Sequence, residues 1–252
     1  MCAASASWNR RTQCLYRIEV ARLSDETAKR YLTVIGKYPE FTYVNLARYG
    51  VGMVHYRKGD YDKARVALDG IGAGDRNGDL AIVPYLVADC LMRLAPTKID
   101  DAISAGKLQG DLTKAGDLLE GFVSSDPKGA QAADALLKLG LCRQRLGGII
   151  ATPKERGEML NNARAVYQRL QKEFPQSPLV PQSHLEAAKC LAQAMPDKNP
   201  AINELRRFTT DPLKQTPVAP MAVMTLATLG PTIATTPTRG AVFGAGSLTS
   251  VR

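Results

Sequence analysis

The stretch "ARAVYQRLQKEFPQSPLVPQSHLEAAKC", residues 163–190, decides the fold. Ala163, Tyr167 and Leu170 stand at i, i+4 and i+7, which places one small and two bulky apolar residues on a single helical stripe. Pro175 then ends the run, because proline lacks an N–H and its ring clashes with the preceding turn. A second apolar run follows, centred on Ala188 and Cys190. The unit is therefore a helix, a proline corner and another helix.

Both halves recur along the chain. The first half returns as "ETAKRYLTVIGKYP" (26–39), "DKARVALDGI" (62–71), "TKAGDLLEGF" (113–122) and "PAINELRRF" (200–208). Its anchors are Ala28, Ala64, Ala115, Ala163 and Ala201. Apolar residues follow four and seven positions on: Leu32 and Ile35, Leu68 and Ile71, Leu119 and Phe122, Leu205 and Phe208. The second half returns as "YGVGMVHYRKG" (49–59), "YLVADCLMRLA" (85–95), "LKLGLCRQRLG" (137–147) and "LEAAKCLAQAM" (185–195). Here the constant feature is a small residue, Gly52, Ala88, Gly140 or Ala188, with Val54, Cys90, Cys142 or Cys190 two positions later.

The distances between anchors carry the architecture. From each alanine anchor to the next small residue the step is 24, 24, 25 and 25 residues, whereas from that residue to the following alanine it is 12, 27, 23 and 13. One connection is fixed and the other accepts insertions, as stacked helical pairs require. Insertions into surface connections cost little, since closure entropy grows slowly with length. Pro39, Pro127, Pro175 and Pro212 each lie eleven or twelve residues beyond an alanine anchor and turn the chain into the next pair. After Ala64 the glycines of "GIGAGDRNGD" do the same.

The block "GMVHYRKGDYDKARVAL", residues 52–68, resembles a tetratricopeptide repeat, with Gly52, Gly59, Tyr61, Ala64 and Leu68 in the repeat's characteristic columns. Residues 163–190 resemble a bacterial branch of that family, which includes the Tol-Pal accessory protein and outer-membrane assembly lipoproteins. The family's early tryptophan is missing, His55 and Arg143 replace an aromatic, and two repeats are lengthened. The resemblance covers roughly residues 15–229 and implies an all-α, right-handed superhelix of four to five helical hairpins, a TPR-like solenoid. Residues 95–110 and 147–160 lengthen two hairpins, and both are expected to add helical turns at one rim. They read either as family drift or as a docking lip. Residues 1–14 and 230–252 lack a helical period and are expected to be disordered. "PVAPMAVMTLATLG" (217–230) reads as the first helix of a further pair, so the chain is expected to be truncated or frame-shifted near Gly230.

Composition narrows the function. The chain has 252 residues, 45% of them apolar but only 6% aromatic, which suits close-packed helices. Its net charge of +9 favours acidic partners. The five cysteines form no CxxC pair and sit far from His55 and His184, so no zinc site of ordinary spacing is expected and no cofactor is called for. Cys90, Cys142 and Cys190 read as small core side chains. His55 reads as a packed, hydrogen-bonded residue and His184 as an exposed one. No Ser, His and Asp arrangement points to catalysis, and "GIGAGDRNGD" follows a helix rather than the strand a dinucleotide site needs. There is no unbroken apolar stretch of a secretory signal and no membrane span. The chain as written reads as cytoplasmic, and an incomplete start would make it periplasmic or envelope-associated.

The candidate binding residues lie on the helices that carry Gly52, Ala88 and Gly140, which the resemblance makes the first helix of each pair, on the face away from those small residues. Tyr49, Met53, Tyr56 and Arg57 share a stripe. Their equivalents are Tyr85, Asp89, Met92 and Arg93, then Leu137, Leu141, Gln144 and Arg145. The resemblance implies that these columns line a concave groove. Aromatic, methionine and arginine side chains together are what protein-binding surfaces favour. Arg57, Arg93 and Arg145 form a ladder that either meets carboxylates of a partner or ties neighbouring repeats together. The expectation is a non-catalytic scaffold that grips a peptide or protein segment, acidic in character. The alternatives are the repeat portion of an envelope assembly factor or larger enzyme complex, and a basic nucleic-acid-binding protein. Scattered lysines and arginines without an aromatic-basic motif weigh against the last.

Overall fold

In the computed structural model, which describes residues 25–98 and 101–229, helices follow one another and no strand occurs among the described residues. They are α1 (25–37), α2 (Val44–Lys58), α3 (Tyr61–Asp69), α4 (Val83–Leu94), α5 (Ala102–Ser125), α6 (Ala132–Ile149), α7 (Pro153–Glu173), α8 (Val180–Ala194), α9 (Asn199–Arg206) and α10 (Ala219–Leu229). Each helix packs mainly on the next, which gives an all-α stack of TPR-like pairs. The expectations for residues 1–14 and 230–252, and for a truncation near Gly230, fall outside the described residues.

The helix boundaries follow the local chemistry. α4, α7, α8 and α9 begin with a proline in their first turn, where its missing N–H is one of the unpaired donors anyway. Asp101 caps α5 by accepting from the Ser104 backbone N–H at 2.7 Å. Gly59 closes α2 at φ +82°, a left-handed conformation that a side chain would strain. The prolines act as the spacing predicts: Pro39, Pro127 and Pro175 each stand just beyond the last residue of α1, α5 and α7. Residues 102–110 and 153–160 of the lengthened segments are helical, since α5 starts thirteen residues before Ala115 and α7 ten before Ala163. Their projecting ends meet the tip of α6 and enclose a groove of about 610 Å³ lined by Ala105, Gly106, Leu146, Ile149, Ile150 and Met159 among others.

The core is the anchor set. Ala64, Ala115, Ala163 and Ala201 are wholly buried, and so are Leu68, Ile71, Leu119, Tyr167, Leu170 and Leu205. In α1 the followers of Ala28 depart from this, Leu32 being 51% exposed and Ile35 half-buried. The small residues of the inner helices are small for a visible reason. A Cβ on Gly52 would fall 2.6 Å from Leu68, and one on Gly140 would fall 2.3 Å from the Tyr167 ring. Cys90, Cys142 and Cys190 are buried free thiols, and burial pushes each of them up to about 12.

Candidate partner-binding face

α2, α4, α6 and α8 are the first helices of successive pairs. α4 touches α6 directly and α6 touches α8, whereas α3, α5, α7 and α9 approach one another less. These contacts put α4, α6 and α8 along one side of the stack. Tyr49, Met53, Tyr85, Met92 and Leu141 are half-buried, with part of each side chain against the core.

The polar members of the columns are tied into networks that run from pair to pair. The Tyr56 hydroxyl on α2 donates to Asp89 Oδ2 on α4 at 2.5 Å, and Arg93 Nε donates to the same oxygen at 2.5 Å. Lys138 Nζ on α6 reaches Asp89 Oδ1 at 2.9 Å and Asp134 Oδ2 at 2.6 Å. It also donates to the Tyr85 hydroxyl at 2.6 Å and lies 4.3 Å from that ring's centroid. Tyr85 in turn donates to Asp134 at 2.6 Å. Asp89 is 3% exposed. Burial alone would raise its carboxyl, yet the bonds from Tyr56, Arg93 and Lys138 outweigh burial and hold it below the ordinary carboxylate range. Burial and the Asp89 carboxylate both push the Tyr56 hydroxyl up, so it stays a donor.

A second network lies one pair further on. Gln144 Nε2 donates to Glu186 Oε2 at 3.2 Å, and Gln144 Oε1 accepts from the buried Tyr167 hydroxyl at 2.7 Å. Gln182 and Lys189 donate to the other Glu186 oxygen at 2.7 and 2.9 Å. Each carboxylate in the two networks thus has a cation from α4, α6 or α8 beside it.

The three arginines of the ladder occupy three different situations. Arg57 is exposed and has no hydrogen-bond or ion-pair partner among the described residues. Arg93 is 47% exposed at its side chain, with Nε on Asp89 and the guanidinium 4.8 Å above the Tyr61 ring centroid. Arg145 turns away and donates to the Met92 and Pro96 carbonyls at 3.3 and 3.0 Å, beside the end of α4. Those carbonyls belong to a helix end, where they lack intrahelical donors and attract positive charge. Other cations serve helix ends in the same way. Arg76 donates to Ile71 after α3, Arg156 to Ile150 and Ala151 after α6, and Lys198 to Ala192 and Met195 at the end of α8.

Sequence spacing did not single out Lys138, Asp134 or Glu186, and it gave Tyr61 only as a repeat-column residue, not as part of this face. A signal was present: Lys138 and Glu186 both stand two positions before the small residue of their helices and carry opposite charges. The exposed place expected for His184 is corrected, since it is 8% exposed and its Nδ1 lies 2.6 Å from Glu204 Oε1 on α9. That contact is the leading cause of a Glu204 carboxyl below its usual range. His55 packs half-buried in α2, but its Nδ1 has no hydrogen-bond partner and reaches Asp60 only at 3.5 Å. Among the described residues no cluster of His, Cys, Asp or Glu could hold a metal ion, and no helix is long and apolar enough to cross a membrane.

Residues 134–177, which span α6, α7 and the Pro175 corner, match the family model described as tetratricopeptide repeat. No curated protein matches the chain. Repeats of this kind generally mediate protein–protein interaction and are typically non-catalytic. Residues 134–177 are thus similar to one tetratricopeptide repeat, and the same helix-pair pattern continues on either side of them.

Proposed function

We propose that the chain is a scaffold without catalytic activity of its own, whose inner face takes a segment of a partner protein. The contact surface is formed by Tyr49, Met53 and Arg57 of α2, Met92 and Arg93 of α4, and Leu141 of α6. Tyr56, Tyr85, Asp89, Gln144 and Arg145 stand behind it and fix the helices that carry it. The observation that supports this reading is the contrast among the arginines: Arg57 is unpaired among the described residues and Arg93 is half-exposed on a stacked tyrosine. A partner segment with apolar residues flanking one or two carboxylates complements that surface.

The test is charge reversal at the two exposed arginines. Arg57→Glu and Arg93→Glu are expected to weaken partner binding while helical content stays unchanged by circular dichroism. Each charge-assisted contact contributes about 1.5–3 kcal/mol where water is excluded, and about 0.2–1 kcal/mol on an open rim. Equal affinity of both variants and the unaltered chain would reject the inner face as the site. Nucleic acid is disfavoured by the same geometry, because the inner cations Lys138 and Lys189 already face carboxylates.

A further inference from the structure

We propose that Asp89 is a positioning residue of the binding face: it touches no partner and instead aims the Arg93 guanidinium toward one. The inference rests on the inner-face reading above and assigns a role within it. Asp89 is 3% exposed and both of its oxygens are occupied, Oδ2 by Tyr56 and Arg93 and Oδ1 by Lys138. A carboxylate so enclosed is out of reach of an incoming segment. It meets donors from three successive inner helices, α2, α4 and α6, and so ties the spacing of the pairs to the direction of one arginine.

Arg93 has the complementary geometry. Asp89 takes only its Nε, and Tyr61 covers one face of the guanidinium at 4.8 Å. Tyr61 is itself braced edge-on by Tyr56, with ring centroids 5.7 Å apart. The hydrogen bond and the stack restrict the long arginine side chain before any ligand arrives, and both terminal nitrogens remain available for a carboxylate. Arg57, in the same column one pair earlier, has neither brace among the described residues. The two arginines therefore differ in kind: Arg93 is held ready and Arg57 must be ordered on contact.

A double-mutant cycle separates positioning from direct contact. The probe is a fluorescein-labelled, end-capped peptide of three Glu-Leu repeats, titrated into the full chain at low salt. Arg93→Gln is expected to weaken binding about tenfold, and Asp89→Asn by a similar factor. The double variant should bind no more weakly than Arg93→Gln alone. Arg57→Gln combined with Asp89→Asn should instead multiply the two losses. Multiplied losses in the Asp89/Arg93 double variant, or an Asp89→Asn variant that binds like the unaltered chain while Arg93→Gln does not, would overturn the positioning role. If Arg57→Gln and Arg93→Gln both leave binding unchanged, or the unaltered chain ignores the peptide, the inner-face reading itself falls and takes this role with it. Should Asp89→Asn fail to fold, the side-chain Nε–H of Arg93 decides by NMR. A slowly exchanging signal that disappears in Arg93→Gln supports the bond to Asp89, and fast exchange with water contradicts it.

Discussion

Replacing Gly140 by alanine sets two effects against each other. A Cβ at Gly140 falls 2.3, 2.7 and 2.8 Å from three atoms of the Tyr167 ring, where ordinary contact begins near 3.4 Å. The ring would have to retreat by about 1.1 Å, and it has little freedom to do so. Tyr167 is wholly buried and its hydroxyl is bonded to Gln144, so the strain reaches the Glu186 network as well. Overpacking of this kind costs about 1–3 kcal/mol, while alanine in place of glycine inside a helix returns about 0.8–1 kcal/mol. Gly110, inside α5, isolates the second effect because a Cβ there meets nothing within 4 Å. Gly110→Ala is expected to stabilise by about 0.8–1 kcal/mol. The difference between the two variants then measures the steric term alone. Thermal unfolding by circular dichroism reads it, at about 2–4 °C per kcal/mol for a chain of this size. A Gly140→Ala variant that melts as high as Gly110→Ala would refute the close approach of α6 and α7 on which the pair geometry depends.

Further outcomes follow from the same geometry. Arg145→Ala is expected to lower stability by about 1.5–3 kcal/mol, because its two carbonyl partners at the end of α4 lose their donors; an unchanged melting temperature would mean that those bonds do not hold in solution. Asp89 has a depressed carboxyl, so its contribution is present above the ordinary value of 3.8 and is lost as pH falls below it through the folded value. Urea midpoints measured from pH 6 to pH 3 should therefore fall less steeply in Asp89→Asn than in the unaltered chain. The raised thiols have the opposite sign. Their contribution is present below pH 9 and is lost between 9 and about 12, so Cys142→Ala should flatten the alkaline decline. Native protein should react slowly with a thiol reagent at Cys90, Cys142 and Cys190 and rapidly once unfolded, as counted by mass spectrometry.

The fold is legible in the sequence because it rests on spacing. Ala64, Leu68 and Ile71 share a stripe wherever the chain is helical, and a nearly constant step to the next small residue leaves only a stack of pairs. The binding face is legible only in outline. Spacing puts Arg57, Arg93 and Arg145 in one column, yet a column says which side a residue leaves the helix and not what it meets two helices away. Arg145 meets the carbonyls at the end of α4, a contact across 53 residues, and Arg93 meets a carboxylate one turn back on its own helix. His184 shows the same limit, since the Glu204 that pairs with it lies on the next helix, where no local pattern points to it. Net charge misleads for a related reason. The +9 favours an acidic partner, but Arg76, Arg145, Arg156 and Lys198 serve helix ends, and Lys138 and Lys189 serve buried acids.

Site-specific photo-crosslinking tests the central claim most directly. A benzophenone amino acid replaces Met53 on the inner side of α2 or, in a second variant, the exposed Val66 of α3 on the outer side. The account predicts one partner protein crosslinked from position 53, absent from position 66, and lost from position 53 when Arg57 and Arg93 are both changed to glutamate. The same partner captured equally from position 66, or captured from position 53 regardless of those arginines, would contradict it.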